Sequence, residues 1–149
     1  MADVYRAYDS IQKMNVALKI PKADDNSGNE AVLHEVRVAT KIKHPNILSV
    51  LNASYIDGHF VIAMELGLES LADRVERRTS IARALDLAGQ GLAALAHAHD
   101  NRIIHCDIKP ENFILFPGNQ LKLADFGFAK ISLRTLKASG SGTIDYIAP

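Results

Sequence analysis

Apolar and polar residues alternate through Val4-Tyr5-Arg6-Ala7-Tyr8, a period of two that predicts a strand. A turn around Asp9 and Ser10 leads to a second predicted strand, 15–20, rich in β-branched and apolar residues. Residues 21–29 are polar, contain Gly28 and predict a mobile loop. Over 30–43 the period becomes helical. Val32, Val36, Ala39 and Ile42 make an apolar stripe, and Glu35 lies beside it rather than on the polar face. Pro45 stops this helix. A strand is expected within 47–56, and Asp57-Gly58 signals a hairpin into a strand over 59–64. Leu66-Gly67 reads as a short linker before a small helix that starts near Ser70. Ile81, Leu85, Ala88, Leu92, Leu95 and His99 recur every three or four residues, which predicts an amphipathic helix over 80–100, ~30 Å long. Two short strands, 113–116 and 120–123, flank a Pro117-Gly118-Asn119 turn. Residues 130–142 show little pattern and read as a flexible segment, and no internal repeat occurs.

A strand-rich first part and a helical second part, joined at 65–67, predict an α+β architecture in two lobes. The cleft between such lobes is a natural ligand site. Composition narrows the function classes. The chain has 149 residues, ordinary for one domain, and its 17 basic and 17 acidic residues cancel. No broad field steers it toward nucleic acid or an anionic membrane, so neither is expected as a partner. No apolar run is long enough to span a bilayer and no secretory signal is seen, which makes the cytoplasm the default expectation. The single cysteine, Cys106, excludes an internal disulfide.

Chemistry concentrates in Ile104-His105-Cys106-Asp107-Ile108-Lys109-Pro110-Glu111-Asn112, followed across the short hairpin by Asp125-Phe126-Gly127. Here stand an Asp able to receive a hydroxyl proton, a Lys able to neutralise a phosphoryl group, and an Asn and second Asp able to hold Mg²⁺. Phosphoryl transfer needs these groups because its catalysis is mostly positioning and charge neutralisation. Lys19 in Val16-Ala17-Leu18-Lys19 and Glu35 on the next helix mean little singly but gain weight as a pair.

The loop closely resembles the H-R-D-x-K-x-x-N catalytic loop of eukaryotic-type protein kinases, and the hairpin ends in their D-F-G. Lys43-His44-Pro45-Asn46 resembles the family's H-P-N, and Gly140 to Pro149 its segment before A-P-E. The resemblance implies a partial two-lobed protein-kinase-like fold over 1–149, with an N-lobe at 1–64, a hinge at 65–67 and a first part of the C-lobe at 68–149. It implies ATP and Mg²⁺ as cofactors, and as partners a protein substrate with a Ser or Thr acceptor and a regulatory protein. Asp107 would be the catalytic base and Lys109 would neutralise the transferring phosphoryl. Lys19 and Glu35 would pair to align the phosphates, and Asn112 and Asp125 would hold the metal. Val4, Ala17 and Ile114 would sandwich the adenine, Met64 would guard the back of the pocket, and the backbone of Glu65 and Gly67 would bind the adenine edge. Phe126, His105, Ala39 and Val50 would stack as a spine across the lobes, with His105 structural rather than catalytic. Thr143 would approach Asp107 and Lys109. The Lys109-Pro110-Glu111 sequence resembles the serine/threonine branch.

Three departures qualify these expectations. Only Met1-Ala2-Asp3 precede Val4, where the family has a glycine-rich loop, so weaker alignment of ATP is expected. The sequence stops at Ala148-Pro149, so both ends look cut and the apolar face of the 81–99 helix is expected to lack partners. Cys106 stands where most of the family has an Arg that pairs with an activation-segment phosphate. Two alternatives stay open: a catalytically weak kinase-like binding or scaffold module, and a small-molecule phosphotransferase. The whole Lys109 to Asn112 element and the Phe-Gly after Asp125 weigh against the second.

Overall fold

Strand β2 (Met14–Pro21) lies between β1 (Ala2–Asp9) and β4 (His59–Glu65), and β3 (Val50–Ile56) closes the antiparallel order β1-β2-β4-β3. Ours is a computed structural model that describes residues 2–21, 28–126 and 130–131, with the side chains of 28–32, 34–35 and 130–131 outside that description. Register puts Val4 opposite Lys19, Lys19 opposite Ile62 and Ala17 opposite Met64. Because side chains two apart share a face, Ala17 and Lys19 point the same way, beside Ile62 and Met64. The tight turns obey local chemistry. Asp9 accepts two backbone N–H bonds, from Ile11 and Gln12. Asp57 and Gly58 both adopt positive φ (48° and 79°), as a two-residue hairpin demands.

Helix α1 (Gly28–Lys41) follows, starting two residues earlier and ending two earlier than its pattern predicts. Pro21 belongs to β2, and Gly28 and Asn29 to α1, so the expected loop is shorter at both ends; 22–27 lie outside the described residues. Of the expected stripe, Ala39 and Ile42 are buried, and Val38, which the pattern missed, is buried more fully than Ala39. Val32 falls outside the described side chains.

Beyond residue 65 the chain crosses to a second unit. A short strand absent from the sequence reading, β5 (Glu69–Ser70), pairs with β7 (Phe113–Phe116), which pairs with β8 (Gln120–Leu123). Ser70 caps α2 (Leu71–Val75) through a reciprocal capping box with Asp73. The hairpin alternates: Phe113, Leu115, Leu121 and Leu123 are buried in the core, while Ile114 and its cross-strand partner Lys122 face the first sheet.

Helix α3 (Ile81–Asp100) has its predicted bounds, and most of the stripe expected to lack partners is exposed. Leu87, Gly91, Ala94 and Ala98 are buried, whereas Ile81, Leu85, Leu92 and His99 of the expected stripe are exposed. A Cβ on Gly91 would stand 3.3 Å from Phe113, so the face that carries Gly91, Ala94 and Ala98 lies close against the hairpin. Ala88 is also exposed, and of that stripe only Leu95 packs partly against the core. Finally, β6 (Ile103–Ile104) pairs with β9 (Lys130–Ile131), so the expected flexible segment begins with a strand. Its remainder, including Ser132, Arg134, Thr135, Ser139 and Ser141, lies outside the described residues, as does Thr143.

The two units are fastened by the segment between α1 and β3. Ile47 bridges Leu123, with bonds from Leu48 N–H to Leu123 O (2.9 Å) and from Leu123 N–H to Asn46 O (2.8 Å). The Asn46 amide donates to Leu121 O and to Gln90 on α3.

Candidate active site

The edge of β2, the end of β4 and the hairpin β7–β8 enclose a cavity of about 340 Å³. Val4, Ala17, Lys19, Met64, Glu65, Gly67, Ile114, Asn112 and Asp125 all line it. These residues come from four strands and three connections, and the fold gathers them on one surface. Ala17 is small and buried, and Val4 and Ile114 present apolar walls, a surface suited to a flat heterocycle. Gly67 packs so closely on the hairpin that an added Cβ would overlap Ile114 Cγ2. The next residue, Leu68, donates its N–H to Leu115 O at 2.7 Å.

Asp107 and Lys109 lie next to this cavity without lining it. Asp107 is 3% exposed, and Lys109 Nζ sits 2.9 Å from its Oδ2. That hydrogen bond raises the Lys109 pKa above its ordinary 10.5. Asn112 donates from Nδ2 to the backbone oxygen of Asp107 (2.8 Å) and to Oδ2 (3.1 Å). Its donors thus engage Asp107, which leaves its carboxamide oxygen for a cation. A single 3-10 turn, Pro110–Asn112, provides the reach, and Asn112 O accepts the Ala124 N–H at 2.7 Å.

His105 organises the loop from below. Its Nε2 lies 2.9 Å from Ala124 O, and a carbonyl only accepts, so Nε2 carries the proton. Nδ1 then accepts the Asp107 N–H at 3.3 Å. Burial lowers its pKa below 6.5 and keeps the ring neutral. The ring meets Phe126 edge-on at 4.8 Å between centroids, and Phe126, Ala39 and Val50 line one small void, so the four expected spine residues stand together. Cys106 and Asp125 both adopt left-handed backbone, φ 65° and 61°. For non-glycine residues this stores about 1–3 kcal/mol each and is typical of functional loops.

Asp125 Oδ1 receives Lys19 Nζ at 3.0 Å. Sequence pairing had given Lys19 to Glu35; the Glu35 side chain lies outside the described residues. Asn112 and Asp125 offer hard oxygen ligands on one cavity, a donor set that fits Mg²⁺. Sequence reasoning missed Lys122, whose Nζ binds both oxygens of Glu65 at 2.9 and 2.7 Å. A lysine at the cleft-facing phase of an alternating strand was the available signal. A larger cavity, about 730 Å³, lies between α2 and α3 and holds none of these residues.

A family model described as the protein kinase domain matches residues 1–149. Serine/threonine-protein kinase PrkC of Bacillus subtilis (strain 168) is 34% identical over 159 residues, covering 100% of this chain and 24% of that protein. Calcium/calmodulin-dependent protein kinase type 1B of Rattus norvegicus is 37% identical over 142 residues, covering 90% of this chain and 41% of that protein. The chain therefore spans less than half the length of either relative. A solved structure, that of the yeast RNA Pol II CTD kinase CTDK-1 complex, superposes with a TM-score of 0.85 at 23% identity, covering 95% of this chain and 48% of that one. That likeness bears on the fold.

Proposed function

This chain belongs to the protein kinase family, and we propose that its cleft binds ATP with Mg²⁺ and transfers the γ-phosphate to a Ser or Thr hydroxyl of a protein. The observation that carries this reading is the buried Asp107, bonded to Lys109 and Asn112, standing next to a cavity that Lys19 and Asp125 line. The N-lobe is 1–64, the hinge 65–67 and the C-lobe part 68–149.

Val4, Ala17 and Ile114 hold the adenine by apolar contact, while the backbone at Glu65 and Gly67 fixes its edge. Lys19 donates to the phosphates, and its bond to Asp125 holds the ammonium over the same end of the cleft. Mg²⁺ bound to Asn112 and Asp125 would neutralise charge on the phosphate oxygens. Asp107 orients the acceptor hydroxyl and takes its proton as the oxygen bonds to the γ-phosphorus; the bond from that phosphorus to the bridging oxygen breaks and ADP leaves. Lys109 neutralises the phosphoryl oxygens during transfer, which its charged state at neutral pH allows.

The test is Mg²⁺-dependent transfer of labelled γ-phosphate to a generic basic protein, with Asp107→Asn as control. The substitution is expected to lower transfer by about 10²–10⁴-fold, the usual contribution of a positioned base. ATP binding should persist. Equal labelling by both proteins would remove the catalytic reading and leave a kinase-like binding module.

A further inference from the structure

We propose that Lys122 is a positioning residue for the nucleotide cleft, acting through Glu65 to fix the hinge over the hairpin. This rests on the nucleotide reading above. Lysines are seldom buried, because their long stems carry the charge to water. Lys122 is 9% exposed and turns inward. Its ammonium meets both Glu65 oxygens, at 2.9 and 2.7 Å, and lies 4.8 Å from the centre of the Phe116 ring. Glu65 is the last residue of β4, and its Oε2 also accepts the Ser49 N–H at 3.1 Å. One carboxylate thus ties the end of the first sheet to the hairpin below.

Location gives this tie a function. Lys122 pairs across the hairpin with Ile114, which lines the cavity, while Lys122 does not. Glu65 and Gly67 line it from the hinge side. Past Gly67, Leu68 N–H is fixed to Leu115 O at 2.7 Å. The hinge is therefore held at two points, a backbone bond after Gly67 and the ion pair before it. Removing the ion pair removes the upstream tie to the hairpin and loosens the spacing between hinge backbone and the Ile114 floor, although Glu65 stays bonded to Ser49. Adenine contacts should weaken, and phosphate contacts at Lys19 should not.

The experiment compares adenosine and Mg²⁺-ATP binding by calorimetry for the unaltered chain, Lys122→Met and Lys122→Arg. Lys122→Met should weaken both ligands equally, by about three- to tenfold, the range of indirect coupling between neighbouring elements. Lys122→Arg should bring both back to within about twofold, since a guanidinium also pairs with a carboxylate bidentately. A purely structural role would lower the melting temperature without changing affinity. Should Lys122→Met not fold, Glu65→Gln, which keeps the acceptor for Ser49 and loses the charge, is expected to show the same equal loss. Unchanged affinities, or a loss confined to ATP, would overturn the inference alone. Failure of the unaltered chain to bind either ligand would overturn the nucleotide reading and this inference with it.

Discussion

Lys19 has a different signature from a residue that shapes the adenine end of the cleft. Its ammonium stands 3.0 Å from Asp125 with the side chain 13% exposed, so it points into the cleft instead of filling a core. Charge-assisted bonds contribute ~1.5–3 kcal/mol, so Lys19→Met should weaken ATP by about ten- to a hundredfold. Adenosine binding and the melting temperature should hardly move; equal losses for both ligands would remove the phosphate-contact assignment. Cys106 supports a second expectation. Its thiol donates to Ile104 O at 3.5 Å and offers no two-pronged donor to a phosphate. A protein carrying this loop should keep kcat/KM within about tenfold after phosphatase treatment, because the missing contact is the one that reads the phosphate. A drop of about a hundredfold, reproduced by Thr135→Ala, Ser139→Ala or Ser141→Ala, would require another basic reader.

At the scale of elements, Gly67 joins hinge and hairpin by near contact. Gly67→Ala would press a methyl group into Ile114 and against Leu115 O. Overpacking of this kind costs about 1–3 kcal/mol, so the urea midpoint should fall by the corresponding amount. An unchanged midpoint would mean that the hinge shifts freely. The sequence marked Gly67 as linker but held no sign of why glycine is needed, because the reason is a residue far along the chain. The β7–β8 hairpin was legible in its bounds, since two short strand-like runs flank the Pro117-Gly118-Asn119 turn. Helix α3 was legible in extent, and its bulky stripe, expected to lack partners, is mostly exposed, while the buried side carries smaller residues that the pattern did not mark. Apolar residues occupy both of its sides, and periodicity favours the bulky ones, while close packing against Phe113 selects Gly91, Ala94 and Ala98. Asp107, Lys109, Asn112 and Asp125 were singled out because they stand in motifs that resemble a family's, and the fold brings them together beside one cleft. The Lys122–Glu65 pair escaped because its members are 57 residues apart and Glu65 was read only for its backbone.

At the scale of the whole molecule, two histidines among the described residues contribute to the acid limb of stability. Burial, then the neighbouring His97, lowers the His44 pKa below 6.5, and burial lowers that of His105. His44 and His97 stack at 4.9 Å, joining the segment after α1 to α3. Both lowered groups are held neutral in the folded state, so unfolding takes up protons first as pH falls. Their contribution is complete above 6.5 and is lost as pH drops from 6.5 through the lower folded values. Urea midpoints should be flat just above neutrality and fall from pH 6.5 downward, and His44→Gln should flatten part of that slope. A midpoint independent of pH over this interval would contradict the assignment.

The fastening at Asn46 and Leu48 also has a meaning in time. The anchor for the segment after α1 is β8, 75 residues further along the chain. During synthesis at about 5–20 residues per second, β1 to β4 would be complete roughly 3–12 s before their anchor emerges. Through that interval the sheet has only its own pairings, with the apolar underside of Ile47 and Val38 waiting for Leu123. A nascent chain halted before β8 should therefore be cut readily by protease around 44–49, and one extended past Asp125 should resist.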